Sequence, residues 1–211
     1  MIAAATTEIS KFAVLASDDQ IERTIEALDA NNIHTIVTEN GADAKKKLFE
    51  MIPADAEIFT SSSVTLNTLG ITEEIDKSGR FNSVRAKLIM MDRVIQNREM
   101  EKLGATPEFM IGSVHAVTET GRVIIASKTG SQLAGYVAAT AHVIWVVGTQ
   151  KIVATLEDGM QRIEEYVLPL ENARSLDVYG VMSSINKLLI VNKEFAPYRT
   201  TMILVKENLG F

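Results

Sequence analysis

Apolar residues recur at helical spacing in some stretches and as short β-branched runs in others, and the two kinds alternate. Ile9, Phe12, Ala13 and Leu15-Ala16 share one helical face. Ser17 then precedes Asp18 and Asp19, followed by Ile21, Ile25 and Leu28. A serine N-cap with acids at the positive end predicts a helix that stops near Asn31-Asn32. Ile33 to Thr38 reads as a strand, Ala42 to Met51 as a helix closed by Pro53, and Glu57 to Thr60 as a second strand. Thr72 is the expected cap of a short helix broken by Gly79. A long helix is predicted from about Val84 to Leu103, stopped by Gly104 with Pro107 beyond. Phe109 to Val117 and Val123 to Ala126 read as strands and Gln132 to Ala141 as a helix. Val143 to Val147 is continuously apolar, as a strand buried on both faces should be. Thr155 to Tyr166 is helical in pattern, Leu188 to Val191 and Met202 to Val205 are late strands, and a turn or hairpin is expected between them. Alternation of this kind predicts crossover units and an open, mostly parallel sheet flanked by helices, an α/β fold.

The 211 residues suit one domain, 1–211, with residues 1–17 as an N-terminal helical extension. The net charge of −6 argues against a broad nucleic-acid surface, which needs a clustered basic patch. Lys45-Lys46-Lys47 is the densest basic run and reads as a solvated helix face. No cysteine is present, so thiolate nucleophiles, cysteine zinc sites and cysteine-held iron–sulfur clusters are excluded within this chain. The first ten residues lack the basic start and apolar core of a secretory signal. The longest apolar run, Leu133 to Gly148, falls short of the ~20 residues that span a bilayer. The expectation is a cytoplasmic protein with no membrane partner, in which Met90-Met91 and Met100 serve either the core or the interface of a homo-oligomer.

Three loops carry candidate chemistry. Thr60, Ser61, Ser62 and Ser63 lie between a strand and a helix start, where hydroxyls and backbone N–H groups either bind an anion or simply cap the helix. Glu119, in the turn Thr118-Glu119-Thr120-Gly121, is a candidate general base or an ordinary turn acid. Lys128, Thr129 and Gly130 precede Ser131, the expected cap of the next helix; Lys128 could neutralise an anion there. Glu119 and Lys128 flank one short strand and could reach a common ligand. Among the histidines, His34 and His142 read as strand-edge residues. His115 lies near the Glu119 turn and is the candidate for acid–base work. Trp145 reads as core.

Several segments taken in order resemble the LUD-domain proteins of lactate utilisation. They are TSSSVTLNTLG (60–70), VTETGRVII (117–125), the loop at Gly130, VVGTQKIVATLEDGMQRI (146–163) and ILVKENLGF (203–211). The resemblance runs from about Ile21 to Phe211. It implies a fold like that of ribose-phosphate isomerases and CoA-transferases. It also implies a small anionic ligand and an iron–sulfur oxidoreductase partner, or alternatively an isomerase or transferase acting alone on a phosphosugar or acyl-CoA. No cofactor is named by it. Two positions depart from the family pattern. Ser61-Ser62 stand where a glycine is usual, and Ser113-Val114-His115 stand where many members carry an acid.

Overall fold

The computed structural model describes residues 10–211. Most of the expected N-terminal helical extension lies outside that range. Within it, Ser10 caps a single 3-10 turn, Lys11–Ala13, and Val14 is already extended. The chain then forms α1 (Asp18–Ala30), β1 (Ile33–Thr38), α2 (Gly41–Glu50), β2 (Glu57–Thr60), α3 (Val64–Thr68) and α4 (Ile71–Lys77). Next come β3 (Asn82–Ser83), α5 (Val84–Ile89), α6 (Arg93–Ala105), β4 (Phe109–Gly112), β5 (Ala116–Thr118) and β6 (Val123–Ser127). The last elements are β7 (His142–Gly148), β8 (Ile152–Val153), α7 (Leu156–Arg162), α8 (Leu168–Tyr179), β9 (Lys187–Val191) and β10 (Thr200–Val205). Ser17 closes a capping box with Gln20 at the head of α1, and Thr155 closes one with Asp158 at the head of α7.

Six strands form one sheet in the order β1-β10-β7-β4-β2-β3, and every neighbouring pair is parallel. Strand β10, from the end of the chain, inserts between β1 and β7. Successive residues of β7 and β10 feed different cores. Ile144, Val146, Ile203 and Val205 pack with α2, α3 and α4 on one face. Val143, Trp145, Val147, Met202 and Leu204 pack on the other with Ile21 and Leu28 of α1, Tyr136 and the small sheet. This is the two-faced burial that the unbroken apolar run of β7 predicts. The small sheet, β8-β5-β6-β9, alternates in the same way: Val117, Val123 and Ile125 face α1, whereas Ala116 and Ile124 face Ile163.

Several expected elements divide. The predicted helix 84–103 is two helices, α5 and α6, because Asp92 caps a new start through Val94 N–H, and α6 is itself kinked at Gln96. Phe109 to Val117 is not one strand. It switches sheets at Ser113–His115, so β4 joins the large sheet and β5 the small one. The helix expected at 132–141 shrinks to a five-residue π turn, Gly135–Ala139, and the Ser131 hydroxyl donates to Gln132 rather than capping it. Gly70, in a left-handed conformation, starts α4 in place of Thr72. Beyond α7 a π turn, Ile163–Val167, leads into α8, whose first turn holds Pro169 where its missing N–H is harmless. The late strands β9 and β10 lie in different sheets and form no hairpin. Among the described residues no helix is long and apolar enough to cross a membrane.

Candidate functional site

The carboxyl ends of β2, β4 and β7 open on a cavity of about 620 Å³. Parallel sheets place ligands at this edge because every strand there hands over to a loop. One wall comes from the large sheet: Ser61, Ser62 and Ser63 after β2, Ser113 to His115 after β4, and Lys151 after β7. The opposite wall comes from β6 and its following loop, the π turn 163–167, and α8. Arg85 and Arg93 stand at the side.

Each serine of the hydroxyl loop has its own partner. Ser61 Oγ accepts a hydrogen bond from the Tyr136 phenol at 3.1 Å. Burial raises that phenol to about 12, so it stays protonated and keeps donating. Ser62 Oγ is exposed and accepts from Arg85 at 3.5 Å. Ser63 Oγ caps α3 by accepting from Leu66 N–H. The Tyr136–Ser61 bond runs close over Gly112, the last residue of β4, where a Cβ would collide with the Tyr136 hydroxyl and Ser61 Oγ. Gly112→Ala should therefore break that bond, at a cost of about 1–3 kcal/mol. A urea-unfolding comparison checks this, and an unchanged midpoint would count against it.

The charges at the floor are unusual. Lys151 is 2% exposed, and its Nζ donates to Thr65 Oγ1 at 3.2 Å and Ser113 Oγ at 3.1 Å. Behind it, Arg162 is fully buried, donating to the carbonyls of His115 and Phe12, with its Nε unpartnered. No Asp or Glu is buried among the described residues. Burial, and secondarily the Arg162 charge, lower the Lys151 ammonium to about 7. The same two influences, with Lys151 itself, hold His115 near 3. His115 Nδ1 accepts from Ala126 N–H at 3.1 Å, which leaves the neutral ring's proton on Nε2.

Residues 21–205 match the LUD domain family, nearly the whole chain. The chain belongs to the LUD-domain family. Among solved structures, this LUD domain is similar to a DUF162 family protein from Deinococcus radiodurans. The two are 12% identical with a TM-score of 0.56, over 91% of this chain and 99% of that one. Ribose 5 phosphate isomerase A from Neisseria gonorrhoeae is also 12% identical, over 94% of this chain and 97% of that one, with a TM-score of 0.37. Among curated proteins no match was found.

The LUD domain brings some of the sequence-selected residues together and parts others. Ser61, Ser62, Ser63, His115, Lys128 and Thr129 all line the cavity. Lys128 is exposed, and its Nζ donates to the Met182 carbonyl at 2.7 Å. Thr60 is fully buried beneath the loop with its hydroxyl unpartnered. Gly130 shapes the second loop with φ +86°, a conformation that favours glycine. Glu119 does not line the cavity. Its carboxylate accepts from Gln20 at 3.0 Å and from Arg23 at 2.9 and 2.7 Å, tying the turn to α1. The Gln20 bond, with Arg23 after it, holds the carboxyl below its ordinary value despite partial burial. The composite Glu119–Lys128 site is thereby undone: β6 carries its two ends to different neighbours. His115 is not within a strand, as the sequence implied, but in the link between β4 and β5.

Lys151 and Arg162 are the residues that sequence reasoning missed. The signal for Lys151 was present. Lys151 stands three residues beyond the end of β7, at the ligand edge of a parallel sheet, which marks it as a candidate, although its burial is set by the fold.

Proposed function

We propose that this LUD domain binds a small anionic ligand at the carboxyl edge of its large sheet. We further propose that it serves lactate utilisation beside an iron–sulfur oxidoreductase partner. The observation that carries the first part is Lys151: a buried amine with two hydroxyl partners, no carboxylate, and a cavity in front of it. A buried cation without a counter-charge is costly, and an incoming anion removes that cost. Around the cavity, Lys128 and Arg93 have no ion pair among the described residues, and Arg85 reaches Asp76 only at 3.8 Å. Arg174, by contrast, is already neutralised by Glu171 through two bonds of 2.7 Å. Ser62, Thr129 and the His115 Nε2–H add neutral donors.

The test is calorimetric titration with inorganic phosphate. Lys151→Met should weaken binding by about tenfold or more, since a hydrogen bond to a charged group is worth ~1.5–3 kcal/mol. Glu119→Gln should leave affinity unchanged, because its carboxylate faces α1. For sulfate, whose charge is constant in this range, affinity should fall between about pH 6 and about pH 8 as Lys151 loses its proton, while His115 stays neutral and Arg162 stays charged throughout. Wild-type affinity in Lys151→Met would remove the basis of this reading.

The partner rests on family membership and on the chain's lack of cysteine. No Gly-x-Gly-x-x-Gly run follows a strand either. The purified chain should give no lactate-dependent dye reduction above a boiled control. Reduction by the chain alone would favour a stand-alone enzyme instead.

A further inference from the structure

We propose that Lys151 is a nucleophilic amine that forms an imine with the carbonyl carbon of an anionic oxo compound held in the cavity. The inference rests on the anion reading above and adds a chemical class to it: a ligand with both an anionic group and an aldehyde or ketone.

The geometry carries it. Lys151 is the last residue of the 3-10 turn Thr149–Lys151 and lines the cavity, yet its side chain is almost wholly buried. Thr65 Oγ1 donates its own hydrogen to the Leu209 carbonyl at 3.0 Å, so toward Lys151 it can only accept. Ser113 Oγ is the second acceptor. A neutral amine has two hydrogens and one lone pair. Two acceptors take both hydrogens and leave the lone pair for a third direction. Among the described residues Lys151 has only hydroxyl partners and no Asp or Glu is buried. Burial and the neighbouring Arg162 both favour the uncharged form, so near neutral pH the ammonium that draws an anion and the free amine that attacks a carbonyl are both present. A lysine reacts with carbonyls only in that form, and burial beside another cation is the usual way to obtain it near neutral pH.

The step balances without an oxidant or reductant. The nitrogen lone pair forms an N–C bond as the carbonyl π pair moves to oxygen. One amine hydrogen passes to that oxygen, giving a carbinolamine. The C–O bond then breaks, the second amine hydrogen leaves with the oxygen, and the products are C=N and one water. His115 Nε2–H and the Ser113 hydroxyl are the hydrogen-bond donors on the cavity wall that can steady the carbonyl oxygen as it takes these protons. The ligand's anionic group falls to Arg85, Arg93 and Ser62.

The experiment treats the full chain with pyruvate or dihydroxyacetone phosphate, traps with cyanoborohydride, and maps the adduct by peptide mass spectrometry. The expected result is a reduced adduct at Lys151 at roughly tenfold or more the yield at exposed Lys77. Lys151→Met should carry none in that peptide. A higher yield with pyruvate marks a carboxylate ligand and a higher yield with the phosphate ester a phosphate ligand. Inorganic phosphate should suppress the adduct. An adduct that phosphate does not suppress keeps the imine and removes the anion seat. Phosphate binding in the calorimeter with no adduct keeps the anion seat and overturns the imine. Labelling at Lys151 no higher than at Lys77 also overturns it.

Discussion

Lys151→Met should make the protein more stable at neutral and acid pH while it weakens anion binding. The folded chain holds this ammonium at about 7, against an ordinary 10.5. Between those values the unfolded chain carries a proton that the folded chain lacks, so wild-type stability rises with pH across the window. Below about pH 7 the folded state bears the full cost of a desolvated cation beside Arg162. The shift corresponds to roughly 5 kcal/mol at about 1.4 kcal/mol per unit. Methionine fills a similar volume without charge but leaves Ser113 without its partner, so a net gain of roughly 2–4 kcal/mol is expected near pH 6. The gain should shrink toward pH 10. Urea unfolding of both proteins across that range measures it; a variant less stable than wild type near pH 6 would show that the buried ammonium is better compensated than its surroundings suggest.

Arg199→Met should be the most damaging single change outside the apolar core. Arg199 donates to the carbonyls of Gly135, Tyr136 and Thr140 at 2.7, 3.1 and 2.9 Å and to Glu194 at 2.6 Å. Both members of the ion pair are 11% exposed. A π turn leaves carbonyls that a regular helix would satisfy, and this guanidinium satisfies them. Its loss strands those carbonyls and leaves the Glu194 carboxylate with only its Thr200 hydroxyl bond among side chains. Breaking a buried pair from one side costs about 3–5 kcal/mol. Because the π turn carries Tyr136, the change should also loosen Ser61 and weaken phosphate binding. A Tm within a degree or so of wild type would contradict the account of this network.

Those two residues mark where the sequence stops being legible. The α/β class and most of the strands follow from periodicity, because the central strands β7 and β10 are buried on both faces and read as apolar runs, whereas the two-residue strands β3 and β8 carry no pattern to read. Helix starts with a serine or threonine cap are legible too, as Ser17 and Thr155 show. Partition between sheets was not legible: Phe109 to Val117 is interrupted only by Gly112, Ser113 and His115, and such residues also occur inside a single strand, so nothing in the pattern marks a change of sheet. The π turns were read as ordinary helix because their apolar spacing is nearly helical, while their stability comes from distant groups such as Arg199. At the site, the hydroxyl loop and the Lys128 loop were visible from residue type alone. Glu119 was misplaced because its partners, Gln20 and Arg23, lie about a hundred residues away in sequence. Lys151 passed unnoticed because burial of a lysine is a property of the fold.

The measurement that bears most directly on the central claim is a crystal soaked in phosphate or sulfate. Density is expected in the cavity at the carboxyl edge of the large sheet, within hydrogen-bond reach of Lys151 Nζ and of Ser62 or Ser63. Density confined to surface lysines such as Lys46 or Lys77, with the cavity holding only solvent, would contradict the assignment of this edge as an anion site.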